Sequence, residues 1–187
     1  MNILDINNRQ DFREWLLNNA NKEKECFVIV NRSKPVNESI LYYLDAVEEA
    51  LCFGWIDSTQ KVIDEKRYQR FSPRSKRSPW TELNKERCRR LIKLGLMKES
   101  GYKVLPPLGP RSYKLDKDIE KALKKERCYK MFKSFPPLYQ RVRGYNVSFY
   151  KNRDYKIYKA SLRHLIEETK KGHMFGEWND YGRLLDY

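Results

Sequence analysis

The residues best suited to chemistry cluster around Asp57. This carboxylate follows a helix-ending glycine in Gly54-Trp55-Ile56-Asp57, and Arg70 and Arg74 come back past a hairpin. If the hairpin closes, the carboxylate can face both guanidiniums. Arg74 with Lys34 would then bind an anion between the walls of Trp55 and Trp80. Asn84 lies one helical turn after Trp80, reaches the same surface and can orient a ligand there. The competing reading is structural: a buried Asp–Arg pair that fixes the hairpin, two tryptophans in the core, and an Asn84 that bonds the Pro73 loop.

A second constellation is cationic. Arg74, Lys76 and Arg77 in one loop and Lys85, Arg87, Arg89 and Arg90 in the following helix form the densest basic stretch. Lysines and arginines in such a stretch suit phosphates. Further on, tyrosines interleave with charge at Tyr139 to Tyr145 and Tyr150 to Tyr158, as a surface that stacks unpaired bases would require. The formal charge of +14 is regional. Residues 1–60 carry −4 and residues 61–187 carry +18, which points to a basic face and an anionic partner, nucleic acid first. The competing reading is a solubilising surface whose lysine and arginine stems cover apolar groups.

Other side chains point to no reaction. Cys26, Cys52, Cys88 and Cys128 lack metal or redox spacing and sit among apolar neighbours, which predicts buried free thiols in a reducing compartment. His164 with Glu167 and Glu168 offers one imidazole and two carboxylates, too few for a metal site, and a solvated helix face explains them better. Neither His164 nor His173 is tied by a motif to Cys52 as its base. No glycine-rich phosphate loop or nucleophile elbow is present. No cofactor and no metal are expected.

The elements that must position these residues are legible in outline. An amphipathic helix is predicted over 9–20, capped by Asn7 or Asn8, with Phe12, Trp15 and Leu16 inward. Cys26 to Val30 reads as a strand. A helix from Ser39 to Phe53, with Asp45, Glu48 and Glu49 on its wet side, should end at Gly54. Strand, turn and strand follow over 55–72. Ser78 and Pro79 open a helix that runs to Leu94, with Leu83, Leu91 and Leu94 packing. Leu96 to Val104 adds a short helix. Three prolines stiffen Leu105 to Pro110. Helices over 118–132, 138–150 and 155–171 complete the chain, and Trp178 and Tyr181 dock back from the tail. No leader pattern is present and no apolar run nears ~18 residues, so a cytoplasmic protein is expected.

Between residues 39 and 84 the pattern becomes specific: Ser39, Tyr43, Ala46 to Asp57 without a gap, Arg70-Phe71-Ser72-Pro73-Arg74, then Ser78, Trp80, Thr81 and Asn84. This resembles the YdeI/OmpD-associated family of bacteriocin-protection and thermotolerance-type bacterial proteins, over residues 12–101 and more weakly over 115–172. The family's C-terminal helix carries an Ala-Lys, then Thr-Arg, signature. Tyr150 to Lys156 stands in its place here and keeps only the basic character. The resemblance implies a bacterial stress- or envelope-associated role without a defined reaction.

The resulting expectation is an α+β fold, with a small antiparallel sheet packed against helices. The core domain should cover 1–104, the proline-rich linker 105–114 and a helical region 115–187. The expected function is binding of an anionic partner through the basic second half, rather than catalysis. The alternatives are a small-anion binder or uncharacterised enzyme using Trp55, Asp57, Arg74 and Trp80, and a protein–protein adaptor.

Overall fold

The structure, a computed structural model, describes residues 1–33 and 40–187. The chain divides into two compact units, Met1–Pro79 with Cys88–Pro106, and Trp80–Arg87 with Pro107–Tyr187. The fold is α+β, as expected.

The first unit is built on a four-stranded sheet among the described residues, formed by β1 (Ile3–Leu4), β2 (Cys26–Val28), β3 (Trp55–Ile63) and β4 (Lys66–Pro73), in the order β1-β2-β4-β3. β4 pairs antiparallel with both β2 and β3, but β1 runs parallel to β2, so the sheet is mixed. A two-residue strand carries no periodicity, which is why the sequence did not announce β1. The β3–β4 turn places Asp64 and Glu65 at φ 46° and 62°. Positive φ at both central residues matches the right-handed twist of the flanking strands.

Helices α1 (Arg9–Asn19) and α2 (Tyr43–Cys52) belong to this unit. Asn8 caps α1 by accepting from the Asp11 N–H at 2.9 Å. Phe12 and Leu16 are fully buried, and Phe12 meets Phe71 of β4 with ring centroids 5.3 Å apart. Each fully buried side chain of this kind contributes about 1.5–3 kcal/mol. Gly54 ends α2 at φ 76°, and an added Cβ would sit 2.8 Å from the Ser100 carbonyl oxygen of α4 (Glu99–Tyr102). Both facts require glycine there.

One expectation for α2 fails. Glu48 and Glu49 are not on a wet side; they are 0% and 1% exposed. Arg9 donates to Glu49 at 2.6 Å, Glu48 at 3.0 Å and Asp45 at 3.1 Å. Arg13 takes the other Glu49 oxygen at 2.5 Å, and Arg90 the other Glu48 oxygen at 2.7 Å. Buried carboxylates persist only when paired and hydrogen-bonded, and each of these is.

Helix α3 (Glu82–Lys93) contributes its first half to the second unit and its second half to the first. It opens later than expected, with Thr81 rather than Ser78 as cap: the Asn84 N–H meets Thr81 Oγ1 at 3.1 Å. In the first unit Cys88 and Leu91 are fully buried, whereas Leu94 is 46% exposed.

The second unit holds α5 (Lys117–Lys125), α6 (Tyr129–Ser134), α7 (Pro137–Ser148) and α8 (Tyr155–Lys170). The single helix expected over 118–132 is two. Arg127 adopts φ 59°, and the Cys128 N–H returns to the Leu123 carbonyl at 3.0 Å, a helix stop without the usual glycine. Ile119, Leu123, Phe132, Tyr139 and Leu165 form the main core. A second cluster joins Leu138, Val142 and Leu184 to Leu83, which assigns the start of α3 to this unit rather than to the first. The expected linker is likewise ordered, with a 3-10 turn at Pro110–Ser112. Trp178 docks edge-on against Tyr139 at 5.6 Å, but Tyr181 is 76% exposed.

Candidate nucleic-acid interface

The residues grouped around Asp57 by sequence have separate employments. Lys34 lies outside the described residues. Trp55 is core: it is 1% exposed, meets Trp15 edge-on at 5.8 Å, and donates its indole N–H to the Ala20 carbonyl at 3.2 Å. Asp57 accepts from the Tyr43 hydroxyl at 2.6 Å. Arg70 donates instead to Glu25 at 2.7 Å and to Ser58 Oγ at 3.0 Å. Arg74 is buried and donates to the Pro79 carbonyl at 2.8 Å, so it closes its own loop. Trp80 and Asn84 belong to the second unit, where Asn84 Oδ1 accepts from Arg87 at 2.7 Å.

Around Asp57 the strands carry a bulge, and the register shifts between Asp57 and Gln60. Gln69, 1% exposed, repairs it by donating its amide to the Ser58 carbonyl at 2.9 Å and receiving Arg32 at 3.2 Å. Arg32 in turn lies over the Tyr43 ring at 4.3 Å. These groups satisfy one another and hold the hairpin base in shape.

The predicted basic stretch is also partly committed. Arg87 forks onto Asp180, Arg90 meets Glu48, and Lys85 meets Glu82 at 2.6 Å. Arg89 is half-buried, and Lys76 and Arg77 are exposed in their loop.

Cations without such partners are found on α8. The second unit carries 21 Lys and Arg against 12 Asp and Glu, a net of +9. Along α8, a groove of about 710 Å³ is lined by the apolar Ala160, Leu162 and Ile166, by the cations Lys156, Lys159, Arg163 and Lys170, and by two carboxylates, Glu126 and Glu167. Lys170 is tied to Glu126 at 2.6 Å. Lys156 and Arg163 are exposed and make no ion pair among the described residues. At one end of the groove Tyr155 is 62% exposed, stacked on Tyr158 with centroids 6.0 Å apart, and Lys159 lies over its ring at 5.1 Å. An exposed aromatic face beside unpaired cations can take a base and its phosphates.

The helix faces this way for local reasons. Asp154 caps it by accepting from the Ile157 N–H at 3.0 Å, and Tyr158, Leu165 and Thr169 turn inward. That leaves Tyr155, Lys159 and Arg163, each four residues apart, on the outside. The signal was in the sequence as this spacing. The interleaving of tyrosine with charge from Tyr150 to Tyr158 pointed to the first turn of α8, while charge density along the chain put the named basic residues on α3.

A polar recess of about 500 Å³ lies at the starts of α1 and α2, lined by Asn7 to Asp11, Ile40 to Tyr42 and Asp45. Its cation, Arg9, already serves three carboxylates, so the recess offers little to an anion. The four thiols are buried, and burial pushes Cys26 and Cys52 up to about 12, out of nucleophilic range. Among the described residues no group of His, Cys, Asp and Glu could hold a metal ion, and no helix is long and apolar enough to cross a membrane.

The family model described as a domain of unknown function (DUF8412) matches residues 4–104. No curated protein and no solved structure matches the chain. The groove on α8 lies beyond the matched residues.

Proposed function

This chain belongs to the family of the domain of unknown function DUF8412, and we propose that its C-terminal unit binds single-stranded nucleic acid along α8. The carrying observation is the exposed Tyr155 ring in a groove whose Lys156 and Arg163 are unpaired among the described residues. Bases stack on Tyr155 and on the apolar lining, and phosphates sit on Lys156, Lys159 and Arg163. Single strands suit the groove better than a duplex, whose bases are already stacked. The resemblance to the YdeI/OmpD-associated family over residues 12–101 supports a cytoplasmic stress or envelope role. Four buried free thiols are compatible with that reducing setting.

The test is fluorescence anisotropy with random-sequence single- and double-stranded DNA and RNA, at low and near-physiological salt. Single strands should bind at both salts. The double variant Lys156→Glu, Arg163→Glu should weaken binding at both salts and reduce its salt dependence, because two phosphate contacts are lost. Binding seen only at low salt, or left unchanged by the double variant, would sink the proposal. In that case the positive charge acts as surface chemistry alone.

A further inference from the structure

The second unit contains a buried cation that no carboxylate contacts in an ion pair among the described residues. Arg143 of α7 is 9% exposed. It donates to the Glu177 backbone carbonyl and lies 5.9 Å from the Tyr139 ring centroid and 5.2 Å from that of Phe175. Its Nε is buried with no hydrogen-bonding partner. The nearby Glu177 carboxylate turns one oxygen, Oε1, to the backbone N–H groups of Trp178, Asn179 and Tyr181 at 2.9–3.2 Å, and acts on Arg143 by charge at a distance only. Burial pushes the guanidinium below the ordinary arginine range. A charge held in this way is costly unless something pairs with it.

Arg143 lines a cavity of about 140 Å³. Asn146, Val147 and Tyr150 continue its wall from the same helix and the turn after it, and Ser161 and His164 of α8 supply the opposite wall. Phe175 lines it from the tail, with its ring 4.3 Å from that of His164, and the cavity stays partly open to solvent. Gly176, at φ 64°, leaves room for the guanidinium: an added Cβ would meet Arg143 Nη1 at 2.9 Å. The cavity is far below the ~300–1,000 Å³ of drug-sized sites, and close to the ~150 Å³ that accommodates a benzene-sized molecule.

We propose that this cavity binds a short-chain monocarboxylate of about six non-hydrogen atoms, with its carboxylate on Arg143 and its aliphatic end against Val147 and Phe175. Arginine presents a planar fork that matches a carboxylate. Asn146, Ser161 and His164 supply further polar groups. The apolar share of the wall favours a carboxylate with a hydrocarbon tail over inorganic phosphate, which would expose every oxygen to that wall. The site is independent of the groove on the outer face of α8.

The experiment titrates the full chain with butyrate, with butyramide of the same shape but no charge, and with inorganic phosphate. Thermal shift and amide chemical-shift mapping are the readouts. Butyrate should stabilise the chain and shift resonances around Arg143 and Phe175, and butyramide should bind about tenfold or more weakly for want of a charge-assisted bond. Arg143→Gln should remove the butyrate response. Because that substitution touches a buried group, Ser161→Phe provides a second arm: it fills the cavity from the far wall with Arg143 intact, and should abolish binding in a folded chain. An equal response to butyramide, a stronger one to phosphate, a response that survives in Ser161→Phe, or no response to butyrate each overturns the proposal.

Discussion

Arg87 and Asp180, 93 residues apart, share a two-bond fork with Nε on Oδ2 and Nη2 on Oδ1, both at 2.7 Å. Their side chains are 9% and 1% exposed. The pair fastens the C-terminal tail to the start of α3 within the second unit. Paired, two such charges roughly offset their own desolvation; singly, they do not. Arg87→Ala and Asp180→Asn should each destabilise by about 3–5 kcal/mol in urea unfolding. Arg87→Lys should recover only part of the loss, because an ammonium cannot make the fork. A loss under about 1 kcal/mol would mean that solvent already reaches the pair.

The three arginines around Glu48 and Glu49 set up a parallel expectation for the first unit. Glu48 bridges Arg9 and Arg90, and Glu49 bridges Arg9 and Arg13. Glu48→Gln keeps the shape of the side chain and leaves two guanidiniums short of charge. It should cost about 3–5 kcal/mol by the same denaturation measurement. A double variant that also replaces Arg90 with Met should recover part of that loss, since the orphaned charge goes with it.

How far the sequence could be read follows from these pairs. Strand–turn–strand over 55–73, the Gly54 stop and the Asn8 cap depend on local chemistry, and each was legible. The burial of Glu48 and Glu49 was not, because it depends on arginines 36 to 42 residues away that no helical period reveals. The same holds for the basic stretch. Arg87 and Arg90 look available until their distant carboxylates are found. The stop at Arg127 escaped for a different reason: a non-glycine residue took the left-handed position usually given to glycine.

Gly144, in the middle of α7, owes its identity to Tyr113. An added Cβ would meet the Tyr113 hydroxyl at 2.0 Å and Leu115 Cδ1 at 2.8 Å. Alanine usually favours a helix interior over glycine by about 1 kcal/mol. Here Gly144→Ala should destabilise by about 1–3 kcal/mol through overpacking. The Tyr113 hydroxyl is buried and without a hydrogen bond among the described residues. Tyr113→Phe should therefore be neutral or mildly stabilising, and should absorb much of the Gly144→Ala penalty when the two are combined. Strict additivity in the cycle would show that the clash is relieved elsewhere.

Glu168 gives the acid limb of the pH–stability profile. A hydrogen bond from Lys171 first, then one from His173, pull its carboxyl from 4.5 to about 2. A depressed carboxyl binds its proton more weakly in the folded chain than in the unfolded one. Its contribution is therefore complete above about pH 4.5 and disappears as pH falls toward 2. Thermal melts across that window should fall more steeply for the native chain than for Glu168→Gln, with the two curves running parallel above pH 5 or so. Parallel curves throughout would mean that the surface pair carries no linkage.

The salt dependence of nucleic-acid binding counts the phosphates on α8. Three contacts, from Lys156, Lys159 and Arg163, give a slope of log affinity against log salt of about −2 for a single strand, at ~0.7 per phosphate. Lys156→Gln should reduce the magnitude of that slope by about 0.7 and weaken all sequences alike. Tyr155→Ala should leave the slope unchanged while costing about 1–3 kcal/mol, because stacking releases no counterion. Replacing Lys76 and Arg77 in the exposed loop tests the other end of the basic region. If those two changes, and not the ones on α8, move the slope, the strand runs over the loop and the groove on α8 is not its path.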